Sequence, residues 1–227
     1  MPDFEYHVLD RGVVRLVDFM GGDNAVVQAA RVSFGQGTKG EEKDRKLIDY
    51  LIRNAHETPF EQALFKFHVK CPIFVARQWF RHRWASYNEI SGRYTEMSHE
   101  FYVPDKFRTQ EKKNYQYSDL DEMMSQKLRD KLEMFYEQTY RLYEEFLAEG
   151  VAKEQARIVL PLSLYTQFYW AVNARSLMNF IKLRTDKHAQ YEIRVYANAI
   201  ADVFQKKMPW TFEAFKKHIL GSSENSL

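Results

Sequence analysis

Cysteine is almost absent from this sequence. Cys71 is the single cysteine among 227 residues, so no intramolecular disulfide can form and the class of small, disulfide-stapled secreted domains is excluded. The N-terminus carries no basic segment followed by an apolar core, so it shows no signal peptide. The most apolar stretch, residues 158–172, is too short to cross a bilayer. We therefore expect a soluble, cytoplasmic protein that does not enter a membrane.

A large net charge of either sign is also missing. The 33 basic and 31 acidic residues give a formal net charge of +2, whereas a general nucleic-acid binder usually carries a larger basic excess or a basic tail. The contents of 45% hydrophobic and 28% charged residues exclude disorder of the chain as a whole. Aromatic residues make up 15%, which indicates a large core, oligomer interfaces or platforms for planar ligands.

The hydrophobic patterns predict both strands and helices. Residues 64–70 alternate between apolar and polar side chains, which predicts a half-buried strand. Residues 6–9 could form a short edge strand. Apolar residues at helical spacing predict three helices, which cover residues 47–52, residues 128–147 with an end at Gly150, and residues 193–204 with an end before Pro209.

Other segments lack a regular spacing of apolar residues, and their positions indicate how the domain is organised. The polar stretch around residues 105–125 has no apolar period, so we predict a variable surface loop there. Residues 216–227 are expected to form a C-terminal tail. Because the helices cluster instead of alternating with strands, we predict an α+β fold in a single domain, residues 1–227. The small sheet is expected in the N-terminal half, and the C-terminal half is expected to be helical.

The segment Thr58-Pro59-Phe60-Glu61 is typical of a helix start. Thr58 can cap the helix, Pro59 suits its first position and Glu61 stands where a capping box requires it. The segment can be purely structural, or the free N–H groups of the helix can bind an anion. The preceding pair, His56 and Glu57, could act in acid–base chemistry or could simply be solvated.

Arginines concentrate between Arg77 and Arg93. Pro72 predicts the start of a helix that places Arg77 and Arg81 on one face. The stretch contains four arginines and only one glutamate. Guanidinium groups pair with phosphates in two-point geometry, and Ser91 with the Gly92 amide could approach the same anion. The stretch could therefore be a solvated or intersubunit basic face, a surface for single-stranded nucleic acid, or a pocket for phosphorylated small molecules. A nucleic-acid surface would use the interleaved rings of Trp79, Phe80, Trp84 and Tyr87, but the short length of the patch favours a small-molecule pocket.

Residues 81–93 follow the pattern Arg-His-Arg-x-x-Ser-x-Asn-x-x-Ser-x-Arg without a departure. This pattern resembles the signature of the flavin-dependent thymidylate synthases. Segments at residues 30–34, 56–61, 156–157, 173–177 and 183–188 resemble parts of the same family in the expected order, so the resemblance spans about residues 5–215.

The resemblance implies a reaction and its ligands. A member of this family methylates dUMP to dTMP, with 5,10-methylenetetrahydrofolate as the carbon donor and FAD, reduced by NADPH, as the reductant. It also implies a homotetramer whose active sites are built from several chains. The family uses no enzymic cysteine, which agrees with Cys71, because no polar neighbour in sequence lowers the pKa of that thiol. Ser91 likewise has no evident base beside it, so we interpret it as a ligand contact and not as a nucleophile.

The same resemblance implies the residues of the site. The dUMP site would comprise Gln78, Trp79, Phe80, Arg81, Glu89, Ile90, Ser91, Gly92, Arg93, Arg157 and Arg184. The FAD site would comprise Thr58, Arg81, His82, Arg83, Glu89, Asn173, Ala174, Arg175 and Asn179. No Gly-x-Gly-x-x-Gly follows a strand, so the flavin phosphates would be held by arginines and hydroxyls and not by a Rossmann fold.

Arg184 is the proposed catalytic residue of this set. A guanidinium stays protonated and cannot be a general base, but it can stabilise negative charge that develops on the pyrimidine ring. Arg175 and Asn179 stand four residues apart and should share a helix face. His188 would lie one turn after Arg184 and could face the same pocket. It has no partner at zinc-like spacing, so we predict no metal site.

Overall fold

Seven strands and eight α-helices lie within residues 4–34, 37–110 and 117–221, the part of the chain that the computed structural model describes. The strands are β1 (Glu5–Val8), β2 (Gly12–Met20), β3 (Leu64–Pro72), β4 (Ser86–Glu89), β5 (Arg108–Gln110), β6 (Tyr117–Asp119) and β7 (Tyr165–Asn173). The α-helices are α1 (Asp23–Ala30), α2 (Glu41–Arg53), α3 (Ile73–Trp79), α4 (Glu122–Ala148), α5 (Lys153–Ala156), α6 (Ala174–Arg184), α7 (Tyr191–Lys207) and α8 (Pro209–Phe215). Short 3₁₀ turns occupy Val32–Phe34, Thr58–Gln62 and Arg157–Val159, and a π-helical turn covers Lys216–Leu220.

Five of the strands form one antiparallel sheet in the order β1-β2-β3-β7-β4. Its centre is β3, where the predicted alternation is confirmed, since Phe65, Phe67 and Val69 are buried while Lys66 is exposed. The predicted edge strand is confirmed as β1. Strands β5 and β6 form a separate hairpin. The predicted α+β class is therefore confirmed.

Strand β7 comes from the half of the chain that we expected to be helical, so that part of the prediction is wrong. It lies between β3 and β4 and pairs with both of them. Phe168, Trp170 and Val172 are buried on its inner side, whereas Tyr169 and Ala171 are exposed on its outer side. Because the outward residues include a tyrosine and an alanine, residues 168–172 look uniformly apolar in the sequence and their period of two is hidden.

The three predicted helices are confirmed as α2, α4 and α7, and so are the predicted ends of α4 and α7. Helix α4 stops at Ala148, and Gly150 has a φ of +82°, a left-handed conformation that favours glycine after a helix. Helix α7 stops at Lys207, two residues before Pro209, whose ring cannot continue a helix. Helix α7 packs against both α6 and α8.

Two apolar clusters hold these elements together. The larger fills the space between the inner face of the sheet and helices α3, α6, α7 and α8. At its centre the ring of Trp79 lies 4.8 Å from that of Phe180 and 5.3 Å from that of Trp170. The smaller cluster lies along α4, where Phe101 stacks on Tyr136 at 4.6 Å. The larger cluster therefore holds α3, β7 and α6 rigidly beside one another, and these elements form the site described below.

The polar stretch around residues 105–125 is only partly a loop. Strands β5 and β6 form a hairpin within it, and Asp121 caps α4 by accepting a hydrogen bond from the Met124 N–H at 2.9 Å. Residues 111–116 lie outside the described residues. In the predicted C-terminal tail, residues 216–220 continue α8 as a π-helical turn, and residues 222–227 also lie outside the described residues.

Candidate active site

A cleft opens where the segment after α3 crosses the end of β7 and the start of α6. It has a volume of about 210 Å³ and is lined by Arg81, His82, Arg83, Trp84, Ala85, Trp170, Val172, Ser176 and Asn179; we call it the Arg81 cleft. The Asn173 side chain accepts a hydrogen bond from the Ser176 N–H at 2.9 Å and so caps α6 directly after β7. This junction places Ser176 and Asn179, one helical turn apart, in the wall of the cleft.

Positive charge is concentrated beside the Arg81 cleft. Arg81 and Arg83 line it, and Arg184 follows from the last turn of α6. Within the described ranges, no carboxylate pairs with any of these three guanidinium groups. Burial and the nearby charge of Arg81 lower the pKa of Arg184. Because the charges of Arg81 and Arg184 oppose each other, an anionic ligand beside these groups is favoured.

Arg184 is held in a fixed orientation by two acceptors. Its Nε donates to Nε2 of His82 at 3.0 Å, and its Nη2 donates to the backbone carbonyl of Gln78 at 3.1 Å. The imidazole of His82 also packs edge-on against Phe180, with ring centroids 4.9 Å apart. Burial and the charge of Arg184 lower the pKa of His82 from its ordinary value of 6.5 to about 4. His82 is therefore neutral at pH 7, as an acceptor at Nε2 must be.

We expect His82 to titrate near pH 4 when its imidazole resonances are followed by NMR. The contribution of His82 to stability should be present above pH 6.5 and should decline as the pH falls towards 4, since only the unfolded state binds the proton readily in that window. An Arg184→Gln variant should raise this pKa. A His82 pKa near 6.5 in the wild-type protein would contradict the arrangement.

Arg175 forms ion pairs with two acidic residues and lies over an exposed aromatic ring. Its guanidinium pairs with Glu61 at 2.6 Å and Glu57 at 2.7 Å, and it lies over the ring of Trp84 at 5.4 Å. Glu61 is thus engaged by a residue far away in sequence, and Thr58 lies inside a 3₁₀ turn with no capping hydrogen bond from Glu57 before it. The predicted capping box at Thr58 is therefore wrong. The predicted shared face of Arg175 and Asn179 is confirmed, because both lie on α6.

Two further local predictions fail because helices end early. Helix α3 stops at Trp79, and the His82 N–H closes a turn on the Trp79 carbonyl, so Arg77 and Arg81 do not share a helix face. Helix α6 stops at Arg184, and His188 lies in the exposed loop beyond it, where it pairs with Asp186 at 3.0 Å. His188 is therefore not one helical turn from Arg184.

The aromatic residues of the arginine segment serve mainly the core. Trp79 is fully buried, and the half-buried ring of Phe80 packs against Tyr87 at 4.9 Å and Phe168 at 5.0 Å. Trp84 alone among them is largely exposed, at 71%. Single-stranded nucleic acid binds through successive exposed rings, so this packing disfavours a nucleic-acid surface.

Burial also limits what two predicted ligand residues can do. The side chains of Trp79 and Ala174 have no exposed surface, and the Ala174 N–H already donates to the carbonyl of Ala63 at 2.9 Å. Neither side chain can therefore touch a ligand in this conformation, and a contact would have to use a backbone carbonyl.

A second group of predicted residues lies around Arg93. Its guanidinium pairs with Glu154 at 2.9 Å, and Ser91 accepts a hydrogen bond from the Arg93 N–H at 3.3 Å. A methyl group on Gly92 would lie 3.0–3.2 Å from atoms of Met97 and Arg157, so the backbone passes closely over Arg157. We call Ser91, Gly92, Arg93 and Arg157 the Arg93 cluster.

The Arg81 cleft and the Arg93 cluster lie towards opposite ends of β7. The cleft contacts Trp170 and Val172, whereas the chain leading to the cluster follows β7 the other way, with the Ile90 N–H bonded to the Gln167 carbonyl. Five residues of strand separate Gln167 from Val172, or roughly 16 Å at the usual rise per residue. The backbone of Glu89 pairs with Phe168, between these two points, and its side chain accepts a hydrogen bond from Thr166, beyond Gln167, at 2.6 Å. Within one chain, the predicted dUMP residues therefore form two separate groups.

The lone cysteine is unsuited to nucleophilic chemistry. Cys71 has 0% exposed surface in β3, and burial, with a smaller effect from Glu89, raises the pKa of its thiol well above the usual range. Because the thiolate is the reactive form, this sulfur is inert in the folded protein.

Several residues at the site were missed by the sequence reasoning. Ala85, Trp170, Val172 and Ser176 line the Arg81 cleft, and Glu154 pairs with Arg93. Trp84 also lines the cleft and was not predicted as a ligand residue. Two positions in the sequence could have pointed to the missed residues: Trp84 lies inside the signature, and Ser176 lies beside Arg175. Within the described residues, no group of three or more His, Cys, Asp or Glu side chains could hold a metal ion. No helix in the same ranges combines the length and apolar character needed to span a membrane.

Comparison with known proteins covers almost the whole chain. Residues 15–210 match the family model described as thymidylate synthase complementing protein. A flavin-dependent thymidylate synthase of Thermosipho africanus is 59% identical over 215 residues, which is 94% of each chain. One of Thermotoga neapolitana is 56% identical over 211 residues, 93% of this chain and 94% of the relative. The crystal structure of the UMP/dUMP methylase PolB from Streptomyces cacaoi, bound with 5-Br UMP, matches with a TM-score of 0.86 at 39% identity, over 93% of this chain and 96% of that one.

Proposed function

This chain belongs to the thymidylate synthase complementing protein family, the flavin-dependent thymidylate synthases, and from that premise we propose which residues serve each ligand of the reaction. The protein is an FAD-dependent methyltransferase that converts dUMP into dTMP. The observation that carries the assignment is the group of three guanidinium groups, Arg81, Arg83 and Arg184, left without carboxylate partners in the described chain beside a concave cleft.

We assign the Arg81 cleft to FAD. Its donor set fits the group, because unpaired guanidinium groups match the oxygens of a pyrophosphate, and the exposed ring of Trp84 offers an apolar surface to a planar ring system. The residues assigned to FAD are Thr58, Arg81, His82, Arg83, Glu89, Asn173, Ala174, Arg175 and Asn179. When bound, FAD supplies the electrons that bring the transferred carbon to the methyl level. The chain's residues hold it, orient it and neutralise its phosphates.

We assign dUMP to residues from both groups. Gln78, Trp79, Phe80, Arg81 and Arg184 come from the cleft side, and Glu89, Ile90, Ser91, Gly92, Arg93 and Arg157 from the other end of β7. In this arrangement Arg93 and Arg157 are the charges suited to a phosphate. Arg184 is the catalytic residue: as a permanently charged donor, it stabilises negative charge that develops on the uracil ring, so that a ring carbon becomes a better nucleophile.

The separation of these two groups supports a site shared between subunits. A cleft of about 210 Å³ is smaller than the roughly 300–1,000 Å³ of typical ligand pockets, and the Arg93 cluster of the same chain lies too far along β7 to complete it. We therefore propose a homotetramer in which the Arg93 cluster of one subunit completes the Arg81 cleft of another. The 5,10-methylenetetrahydrofolate donor, the NADPH reductant and a cytoplasmic location belong to the same proposal.

A mixed-subunit experiment tests the shared site. Arg93→Ala and Arg184→Lys variants, each weakly active alone, should regain activity when co-expressed with different tags and purified as mixed assemblies. Activity returns because some sites then combine an intact cleft with an intact cluster. The measurement is dTMP formation with dUMP, FAD, NADPH and 5,10-methylenetetrahydrofolate supplied together. Mixed assemblies no more active than the separate variants would place all site residues in one chain.

Replacing the only cysteine should spare the reaction. Cys71→Ala is expected to keep most of the dTMP-forming activity, because the thiol is fully buried and its raised pKa keeps it protonated. A loss of about 1 kcal/mol of stability is expected from the smaller side chain in the core. The protein should still bind FAD, seen as flavin absorbance released on denaturation. A folded, FAD-loaded variant without turnover would contradict the cysteine-free assignment.

A further inference from the structure

A chain of hydrogen bonds leads from a buried carboxylate to the candidate pyrimidine site. Glu192, at the start of α7, is 3% exposed. Its Oε1 accepts hydrogen bonds from Arg108 at 2.6 Å and Tyr102 at 3.2 Å, while its Oε2 accepts one from the side-chain amide of Gln190 at 2.8 Å. Oε1 of Gln190 then accepts a hydrogen bond from Nε2 of Gln78. Gln78 is also the residue whose backbone carbonyl holds Arg184.

The buried carboxylate of Glu192 fixes the direction of each hydrogen bond in this series. A carboxylate paired with a guanidinium offers only acceptor oxygens. The amide NH₂ of Gln190 must therefore face Glu192, and its Oε1 must face Gln78. Gln78 must in turn donate with its own NH₂. Its Oε1 has no hydrogen-bond partner among the residues that the structure describes, so an acceptor is left for a ligand.

This orientation matters because a free glutamine side chain cannot distinguish uracil from cytosine. By turning through half a revolution, its amide can either accept from the N3–H of uracil or donate to the bare N3 of cytosine. An amide that is locked with Oε1 as the free acceptor suits uracil, and it sets an oxygen lone pair against the N3 lone pair of cytosine. A site with a fixed hydrogen-bonding direction rejects the wrong partner far more strongly than an adaptable one.

We propose that Glu192, acting through Gln190, is a positioning residue that locks the amide of Gln78 and so selects a uracil ring over a cytosine ring. The proposal rests on the contact between Gln78 and dUMP in the proposed function. Glu192 itself does not touch the nucleotide. Its effect is on recognition of the base, so its loss should raise the KM for dUMP and relax base selectivity, with a smaller effect on kcat.

The test measures the dissociation constants of dUMP and dCMP for the FAD-loaded protein by calorimetry. Glu192→Gln should lower the preference for dUMP over dCMP at least tenfold, because an amide at this position can face Gln190 in either orientation. Gln190→Ala should do the same, and as an exposed change it should not disturb the fold. The matched control is Tyr102→Phe, which removes a hydrogen bond to the other oxygen of the same carboxylate. The preference of this control variant for dUMP over dCMP should stay within twofold of that of the wild type.

The outcomes separate the inference from the function on which it rests. A wild-type protein that binds no dUMP would contradict the proposed function. If dUMP binds normally and Gln78→Ala leaves its affinity unchanged, the function stands and the inference fails. An unchanged dUMP/dCMP ratio in Gln190→Ala also overturns it, even if Glu192→Gln has an effect, because the buried carboxylate would then act only on the fold. A ratio lowered in both variants and kept in Tyr102→Phe supports it.

Discussion

Arg184→Lys should slow dTMP formation at least tenfold, which corresponds to about 1.4 kcal/mol or more of barrier. In the structure the guanidinium reaches Nε2 of His82 with one nitrogen and the carbonyl of Gln78 with another. An ammonium keeps the charge but is a single point, so it cannot satisfy both acceptors and still present a planar donor edge to the pyrimidine. Because the interaction strengthens as charge develops on the ring, its loss should lower the rate of the chemical step more than substrate affinity.

The measurement compares dTMP formation with NADPH oxidation in one preparation at saturating dUMP. NADPH oxidation without product should be less impaired, since it needs no activated pyrimidine carbon. FAD content and oligomeric state should match the wild type. The control is Lys182→Ala, an exposed change in the same last turn of α6, which should leave both rates intact. Equal loss of both rates in Arg184→Lys would show that Arg184 only holds the site together.

Arg93→Ala should weaken dUMP binding by about 1.5–3 kcal/mol, the range for a hydrogen bond to a charged group, or roughly 10- to 150-fold in Kd. The Arg93 side chain is exposed and pairs with Glu154 at the surface. Such pairs contribute little to folding, so the variant should remain folded. FAD binding should change far less, because Arg93 is assigned to the phosphate of dUMP and not to FAD.

Glu154→Gln is the matched control for this prediction. It releases Arg93 from its carboxylate partner without removing the guanidinium, so dUMP affinity should be kept or improved. Calorimetric titration of both variants with dUMP, beside their flavin content, is the measurement. A loss of FAD from Arg93→Ala with unchanged dUMP affinity would reverse the assignment of the two ligands.

The sequence predicted those parts of the fold in which local pattern and tertiary environment agree. Strand β3 and helices α2, α4 and α7 have one apolar face and clear ends, and they were predicted. Strand β7 was missed because its outer face is itself partly apolar. The capping box at Thr58 failed because Glu61 pairs with Arg175, a long-range contact that no local pattern contains.

The candidate site was predictable in its residues but not in its geometry. The signature at residues 81–93 contains residues of both groups, yet nothing in it shows that the two groups lie towards opposite ends of β7. Likewise, the partners that orient the site come from distant segments: Gln190 reaches Gln78 across more than a hundred residues. Such contacts depend on how α7 packs against α3, which the sequence pattern does not specify.

The separation along β7 has a thermodynamic consequence for the assembly. If every complete site needs groups from two subunits, dUMP and FAD bind the associated state and not the isolated chain. Each ligand then stabilises association by RT ln(1 + [L]/Kd) per site, about 2.7 kcal/mol at a hundredfold excess over Kd. Subunit exchange should slow as nucleotide is added, and apparent nucleotide affinity should fall on dilution of the protein. Substrate supply would thus govern how much of the enzyme is assembled.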